Sequence, residues 1–339
     1  MKIRHIIYAL AVAAASVSCG SPKPTDGEHV LHILTTNDVH GSWFDSTYVG
    51  GGIKNSLYAV NHYIDSVRNE FGGENVILID AGDCLQGDNG AYYYNYVDTE
   101  SEHLFPQLMN YMCYDAVVVG NHDIETGHDV YDRVAAQLDK YGIPFLAGNA
   151  IRNDNGKPYF QEYKVYNKAG LKVVVAGYTN ANMSAWLTES LWSGMTFKSL
   201  LPLVQESVDR ISAMENPDIF IVAEHSGTGE GDGSMLESQG LDLFYSLKGV
   251  DAVITSHDHS AVIKNENDML FLNSGSPSRN LCHGTITASV EGGKIISKSN
   301  DVELIPVKAS NVDTQMRDAF HKNFATVKAF TVRTGGLLT

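Results

Sequence analysis

At 339 residues, 43% of them hydrophobic, the chain can form one large α/β domain or two ordinary ones around a real core. A formal net charge of −16 leaves no basic footprint for phosphate backbones and argues against a nucleic-acid polymer as partner. Thirteen histidines in so acidic a chain are compatible with divalent cations, although composition alone does not establish them.

The N-terminus carries a targeting pattern. Lys2 and Arg4 are followed by an apolar run over residues 6–15, too short to span a membrane and suited to a signal-peptide core. Small residues then lead to Ser16-Val17-Ser18-Cys19-Gly20, similar to a bacterial lipoprotein cleavage site that leaves Cys19 lipidated. Ser16 departs from the leucine usual there, and an ordinary secretory signal is the alternative. Either reading predicts export, to the periplasm or cell surface, with membrane attachment through the lipid anchor alone. Residues 20–29, polar with two prolines, read as a tether. Cys84, Cys113 and Cys282 remain; an odd number with no CxxC spacing gives no disulfide framework, and all three read as small buried residues.

Residues 29–38 predict a strand that ends in Asp38-Val39-His40-Gly41. On an extended segment residues two apart point to one side, so this pair can reach one ion, or Asp38 can cap the next turn. Ile53, Leu57, Val60, Ile64, Val67 and Phe71 predict a helix that Gly72-Gly73 ends, with His62 on its solvent side. A buried strand over 76–80 exits through Ala81-Gly82-Asp83. The tyrosine-rich residues 91–97 read as a loop that packs on its own domain or lines a pocket for flat ligands. A short helix over 103–114 leads to the strand Val117-Val118-Val119, broken by Gly120 and followed at once by Asn121-His122-Asp123.

Val130, Val134 and Leu138 mark the next helix, residues 144–149 a brief strand and residues 163–178 a hairpin. A helix with Pro202 in its first turn follows, stopped at Asn216-Pro217. The strand over 218–223 runs into Glu224-His225. The glycine-rich residues 227–233 lack the Lys-Ser/Thr pair of a Walker loop and are not read as a nucleotide cradle. After a further helix, residues 251–255 end in Ser256-His257-Asp258-His259. Residues 269–272 and 281–307 read as strands of a second sheet.

Five apolar strands therefore each end in oxygen or imidazole ligands: Asp38 and His40, Asp83, Asn121, His225, and His257 with His259. In a sheet layered with helices such exits meet at one edge. A cluster of this composition without thiolate suits Zn, Mn, Fe, Co or Ca rather than Cu(I) or an iron–sulfur centre. The order D-x-H, G-D, G-N-H-[DE], H, [GS]-H-x-H resembles the calcineurin-like metallophosphoesterases, and within them the branch of 5′-nucleotidases, UDP-sugar hydrolases and 2′,3′-cyclic phosphodiesterases.

That resemblance covers about residues 30–310 and implies a four-layered αββα sandwich holding two divalent metal ions. Asp38, His40 and His259 would hold one ion, Asn121, His225 and His257 the other, and Asp83 would bridge them. His122 resembles the family's catalytic histidine, which assists the leaving oxygen and needs a carboxylate to orient it. Glu125, where an aspartate is usual, and Asp123 are both candidates for that carboxylate.

The organisation expected is a signal peptide (1–19), a tether (20–29), the catalytic domain (30–310), and a linking helix with tail (311–339). Relatives in this branch carry a further C-terminal domain for substrate recognition; either a separately encoded protein with such a domain is the partner, or this chain is a less selective phosphatase. The expected activity is hydrolysis of nucleotides or related phosphate esters by water activated between two metals. A 2′,3′-cyclic-nucleotide phosphodiesterase, a UDP-sugar pyrophosphohydrolase, and a metal-holding binding subunit are the alternatives. Arg279 is expected to form a surface ion pair rather than to touch a substrate phosphate, and His128, His283 and His321 fit no ligand slot.

Overall fold

Alternation within short apolar strands builds two faces at once. In the strand β2 (Val76–Asp80), Ile77 and Ile79 point into the space between two sheets, while Val76 and Leu78 point to the outer helices. The computed structural model describes residues 23–333; the signal-peptide and Cys19 readings lie outside the described residues.

One six-stranded sheet runs in the order β14 (Lys294–Pro306), β13 (Asn280–Glu291), β1 (Gly27–Thr36), β2, β3 (Ala116–Val118) and β4 (Phe145–Leu146). The other runs β11 (Ala261–Glu266), β12 (Met269–Ser274), β10 (Ala252–Ile254), β9 (Ile219–His225), β7 (Leu171–Thr179) and β6 (Tyr163–Lys168). A small hairpin pairs β5 (Ala150–Arg152) with β8 (Met195–Phe197).

Leu31, Ile33, Val118, Val175, Ile221 and Ile254 belong to the layer between the sheets. The helix Leu57–Phe71 and its neighbours cover the first sheet, and the helices Leu200–Glu215 and Gly240–Ser246 cover the second. Helix, sheet, sheet, helix is a four-layered αββα sandwich. Strands β1 to β4 are parallel, and so are β7, β9, β10 and β12, so the carboxyl ends that carry the candidate ligands lie along one edge.

Several sequence readings are corrected here. Residues 281–307 form β13 and β14 of the first sheet, because the long β13 pairs antiparallel with β1 from Gly27 to Thr35. That pairing also takes residues 27–29 out of the tether and into the sheet. The helix read from Ile53 starts at Leu57, since Ser56 caps it by accepting from the Ala59 N–H, and Ile53 is exposed. Residues 91–97 are helical rather than loop. Cys113 is exposed, at the end of a helix where its φ is +53°. The helices Thr314–Ala319 and His321–Arg333 pack onto the domain through Met316, Phe320 and Val327. Arg279 is exposed, with no ion pair among the described residues. Among the described residues no helix is long and apolar enough to cross a membrane.

Candidate metal centre

The loops beyond the strand ends are laced to one another by their backbones. Asp38 N–H donates to Gly82 O and His40 N–H to Asp83 O, both at 2.9 Å. Two glycines make this approach possible. A Cβ on Gly120 would overlap the Asp83 side chain and backbone nitrogen, and one on Gly82 would lie 2.7 Å from His225 Nδ1. Asp38, His40, Asp83, His257 and His259 all have left-handed backbone, φ between +47° and +71°. Non-glycine residues seldom adopt this conformation, and strain of this kind collects at functional sites. The Asp-x-His and His-x-His pairs therefore do not share a side because they are extended; each side chain is aimed by a tight turn past the strand.

Asp38, His40 and His259 meet as one group, and Asp83, His225 and His257 as a second. In the first, Asp38 Oδ1 lies 3.9 Å from His40 Nε2 and 3.6 Å from His259 Nε2, and those two ring nitrogens are 2.9 Å apart. Asp38 Oδ2 is held by Asn37 Nδ2 at 2.7 Å and the His257 N–H at 3.0 Å. Its Oδ1 is buried without a donor among the described residues, a state that is costly unless a cation completes it. In the second group Asp83 Oδ2 lies 3.1 Å from His225 Nε2, and Asn121 Oδ1 faces His225 Nε2 at 3.1 Å and His257 Nδ1 at 2.9 Å. His225 Nδ1 sits 2.8 Å from Ala81 O, which turns Nε2 towards the cluster. Open oxygen and imidazole donors of this kind fit two divalent cations.

Burial and neighbouring charges set the protonation of these donors. Burial holds the His40 and His257 imidazoles down at about 4, so both present neutral nitrogens. Burial also raises Asp38 to about 7, the cost of a carboxylate with an open oxygen. For His225 burial is outweighed by the adjoining Asp83 carboxylate, which pushes it up to about 10. His225 in turn holds Asp83 well below the usual carboxylate range against its own burial.

His122 stands beside the first group, its ring 5.3 Å from that of His40. Its Nδ1 is 2.6 Å from Glu125 Oε2 across one helical turn. Asp123 faces the other way. Buried, it accepts from the backbone N–H groups of Gly120, Asp83, Cys84 and Leu85 at 2.8–3.0 Å, tying the third strand exit to the second. Asp123 therefore does not touch His122. Asp123→Ala would strand four buried donors, and the expected loss is about 3–5 kcal/mol in urea unfolding. A loss below about 1 kcal/mol would show that water replaces the carboxylate.

His128, His283 and His321 lie apart from this centre: His128 contacts Asp132, His283 contacts His32, and His321 contacts Asp318 O. Sequence reasoning passed over Asn37, which holds Asp38, and Ser256, whose Oγ lies 2.9 Å from His225 Nδ1. Both directly precede a candidate ligand, and that adjacency was the available signal. Trp186, stacked on His257 at 5.2 Å, had none.

The fold and this edge of converging strand ends define a phosphoesterase of the calcineurin type. Residues 31–261 match the calcineurin-like phosphoesterase family model, and the chain belongs to that family. Among curated relatives it is 25% identical to a 5′-nucleotidase of Vibrio parahaemolyticus over 337 residues, covering 91% of this chain and 58% of the relative. It is 27% identical to the UshA protein of Salmonella pullorum over 233 residues, 67% of this chain and 40% of that one. The chain thus spans about half the length of these relatives. Among solved structures, a calcineurin-like phosphoesterase, YfkN of Bacillus subtilis, aligns with a TM-score of 0.80 at 20% identity, over 90% of this chain and 99% of that one. A putative 5′-nucleotidase from Staphylococcus aureus aligns at 0.70 and 22% identity, over 85% and 58%.

Proposed function

We propose that this chain is a metal-dependent phosphoester hydrolase that acts on nucleotides or related phosphate esters. The observation carrying the reading is the orphaned Asp38 Oδ1, converging with His40 and His259 beside a second ligand group. Asp38, His40 and His259 would hold one ion, and Asn121, His225 and His257 the other. Asp83 would bridge the two, since its charge bears on Asp38, His40 and His259 as well as on His225. When bound, two divalent ions supply Lewis acidity for the phosphoryl oxygens and for water.

The chain's own residues do the rest. Ala81 O and the His257 N–H hold His225 and Asp38 in place, so the donor atoms are set before substrate arrives. Glu125 accepts the Nδ1 proton of His122, which aims Nε2 to protonate the departing oxygen.

The test is release of phosphate or alcohol from p-nitrophenyl phosphate, AMP, 2′,3′-cyclic AMP and UDP-glucose with Mn, Zn, Co, Mg or Ca added to the purified chain. Metal-dependent hydrolysis of AMP, abolished by EDTA, is the expected result. Tightly held metal with no turnover on any of the four would overturn the enzyme reading in favour of a binding subunit.

A further inference from the structure

The tyrosine run Tyr92-Tyr93-Tyr94-Asn95-Tyr96 has no part in the chemistry above, yet it borders the site. Asp88 caps a single α-turn over Asn89–Tyr92, and the chain then widens into a π-turn over Tyr93–Val97, closed by Asp98 N–H to Tyr93 O at 2.9 Å. Turns of this width are rare and concentrate at functional sites.

This turn sorts the tyrosines. Tyr94 is buried, its hydroxyl taking a hydrogen bond from Asn323. Tyr92 and Tyr96 project together, edge to face at 5.3 Å, 39% and 48% exposed. Phe330 stacks behind Tyr92 at 6.3 Å. Tyr96 is fastened to the catalytic turn: its hydroxyl donates to Thr126 O at 3.4 Å, directly after Glu125. Burial, with the Glu125 carboxylate next, raises the Tyr96 phenol above its ordinary range.

The direction of departure follows from in-line displacement, in which the leaving oxygen lies opposite the attacking water. The group assigned to protonate that oxygen is His122, so the leaving group passes His122 and Glu125. That path leads over Tyr96 and Tyr92.

We propose that Tyr92 and Tyr96 bind the leaving group of the substrate and select esters in which it ends in a flat ring, as in nucleoside phosphates. This rests on the hydrolase reading above. Every nucleobase has a π-face, so stacking on these rings selects nucleotides as a class without choosing among bases.

AMP and ribose 5-phosphate isolate the effect, because they share phosphoryl group and sugar and differ by adenine. The ratio of their kcat/KM values is expected to fall about tenfold in Tyr96→Ala and in Tyr92→Ala, through KM for AMP, and to recover in Tyr96→Phe. A second measurement needs neither metal nor turnover: saturation-transfer NMR of adenosine on the full chain in excess EDTA, with the signal lost in the double alanine variant. A ratio within about twofold of the parent in both variants, or adenosine binding undiminished in the double variant, would overturn the proposal. If the parent hydrolyses neither ester but binds adenosine through these tyrosines, the hydrolase reading fails and the base contact stands.

Discussion

Replacing Asp83 by asparagine is expected to lower metal-dependent hydrolysis of p-nitrophenyl phosphate by about 10³-fold or more, with at least one bound metal lost. Asparagine has nearly the same shape and still offers Oδ1 to the His122 N–H, which Asp83 accepts at 2.8 Å. What disappears is the charge. Asp83 bears on members of both ligand groups, so its removal takes the strongest opposing charge from His225 and His40. Because a buried substitution beside a charged imidazole can also unfold the chain, the thermal unfolding of the variant is measured beside its metal content by inductively coupled plasma spectrometry. A folded Asp83→Asn that keeps two metals and more than about a tenth of parental turnover would remove Asp83 from the bridging role.

His122→Ala should behave differently: metal content stays at the parental value while kcat falls by about 10²–10⁴-fold. The size of the fall should depend on the alcohol that leaves. p-Nitrophenolate departs without much help from an acid, whereas the ribose oxygen of AMP needs a proton, so the loss should be larger for AMP. Glu125→Gln should show the same asymmetry at about 10- to 100-fold, because it weakens the 2.6 Å contact that orients the ring. Equal losses on both substrates, or a His122→Ala variant within about twofold of the parent, would mean that His122 is not the acid.

Much of the centre could be read along the chain because its donors sit within five residues of strand ends that alternation marks clearly. Asp80 closes β2 and Asp83 follows three residues later, and His225 is itself the last residue of β9. Among the readings that failed, the sheet assignment depends on partners far away in sequence. Whether residues 281–307 join one sheet or the other is decided by pairing of β13 with β1, across some 250 residues, and no local pattern encodes that. Glu125 and Asp123 were equivalent as a list of acids. The turn separates them: Asp123 points into four backbone amides and Glu125 out to His122.

The reading that put Asp38 and His40 on one side of an extended segment reached the grouping seen in the structure on a wrong physical ground. Period-two alternation would also pair His257 with His259 on one side. The left-handed turns instead send His257 to the group of Asp83 and His225, and His259 to that of Asp38 and His40. By itself the sequence determined the family, the layered fold class and the candidate donors at the strand exits, since hydrophobic period and ligand chemistry are local properties. Only the tertiary structure decided how tight turns aim those donors, which carboxylate contacts His122, and where the tyrosines stand relative to it. These depend on the convergence of five strand exits from two sheets, and that convergence exists only once both sheets are packed.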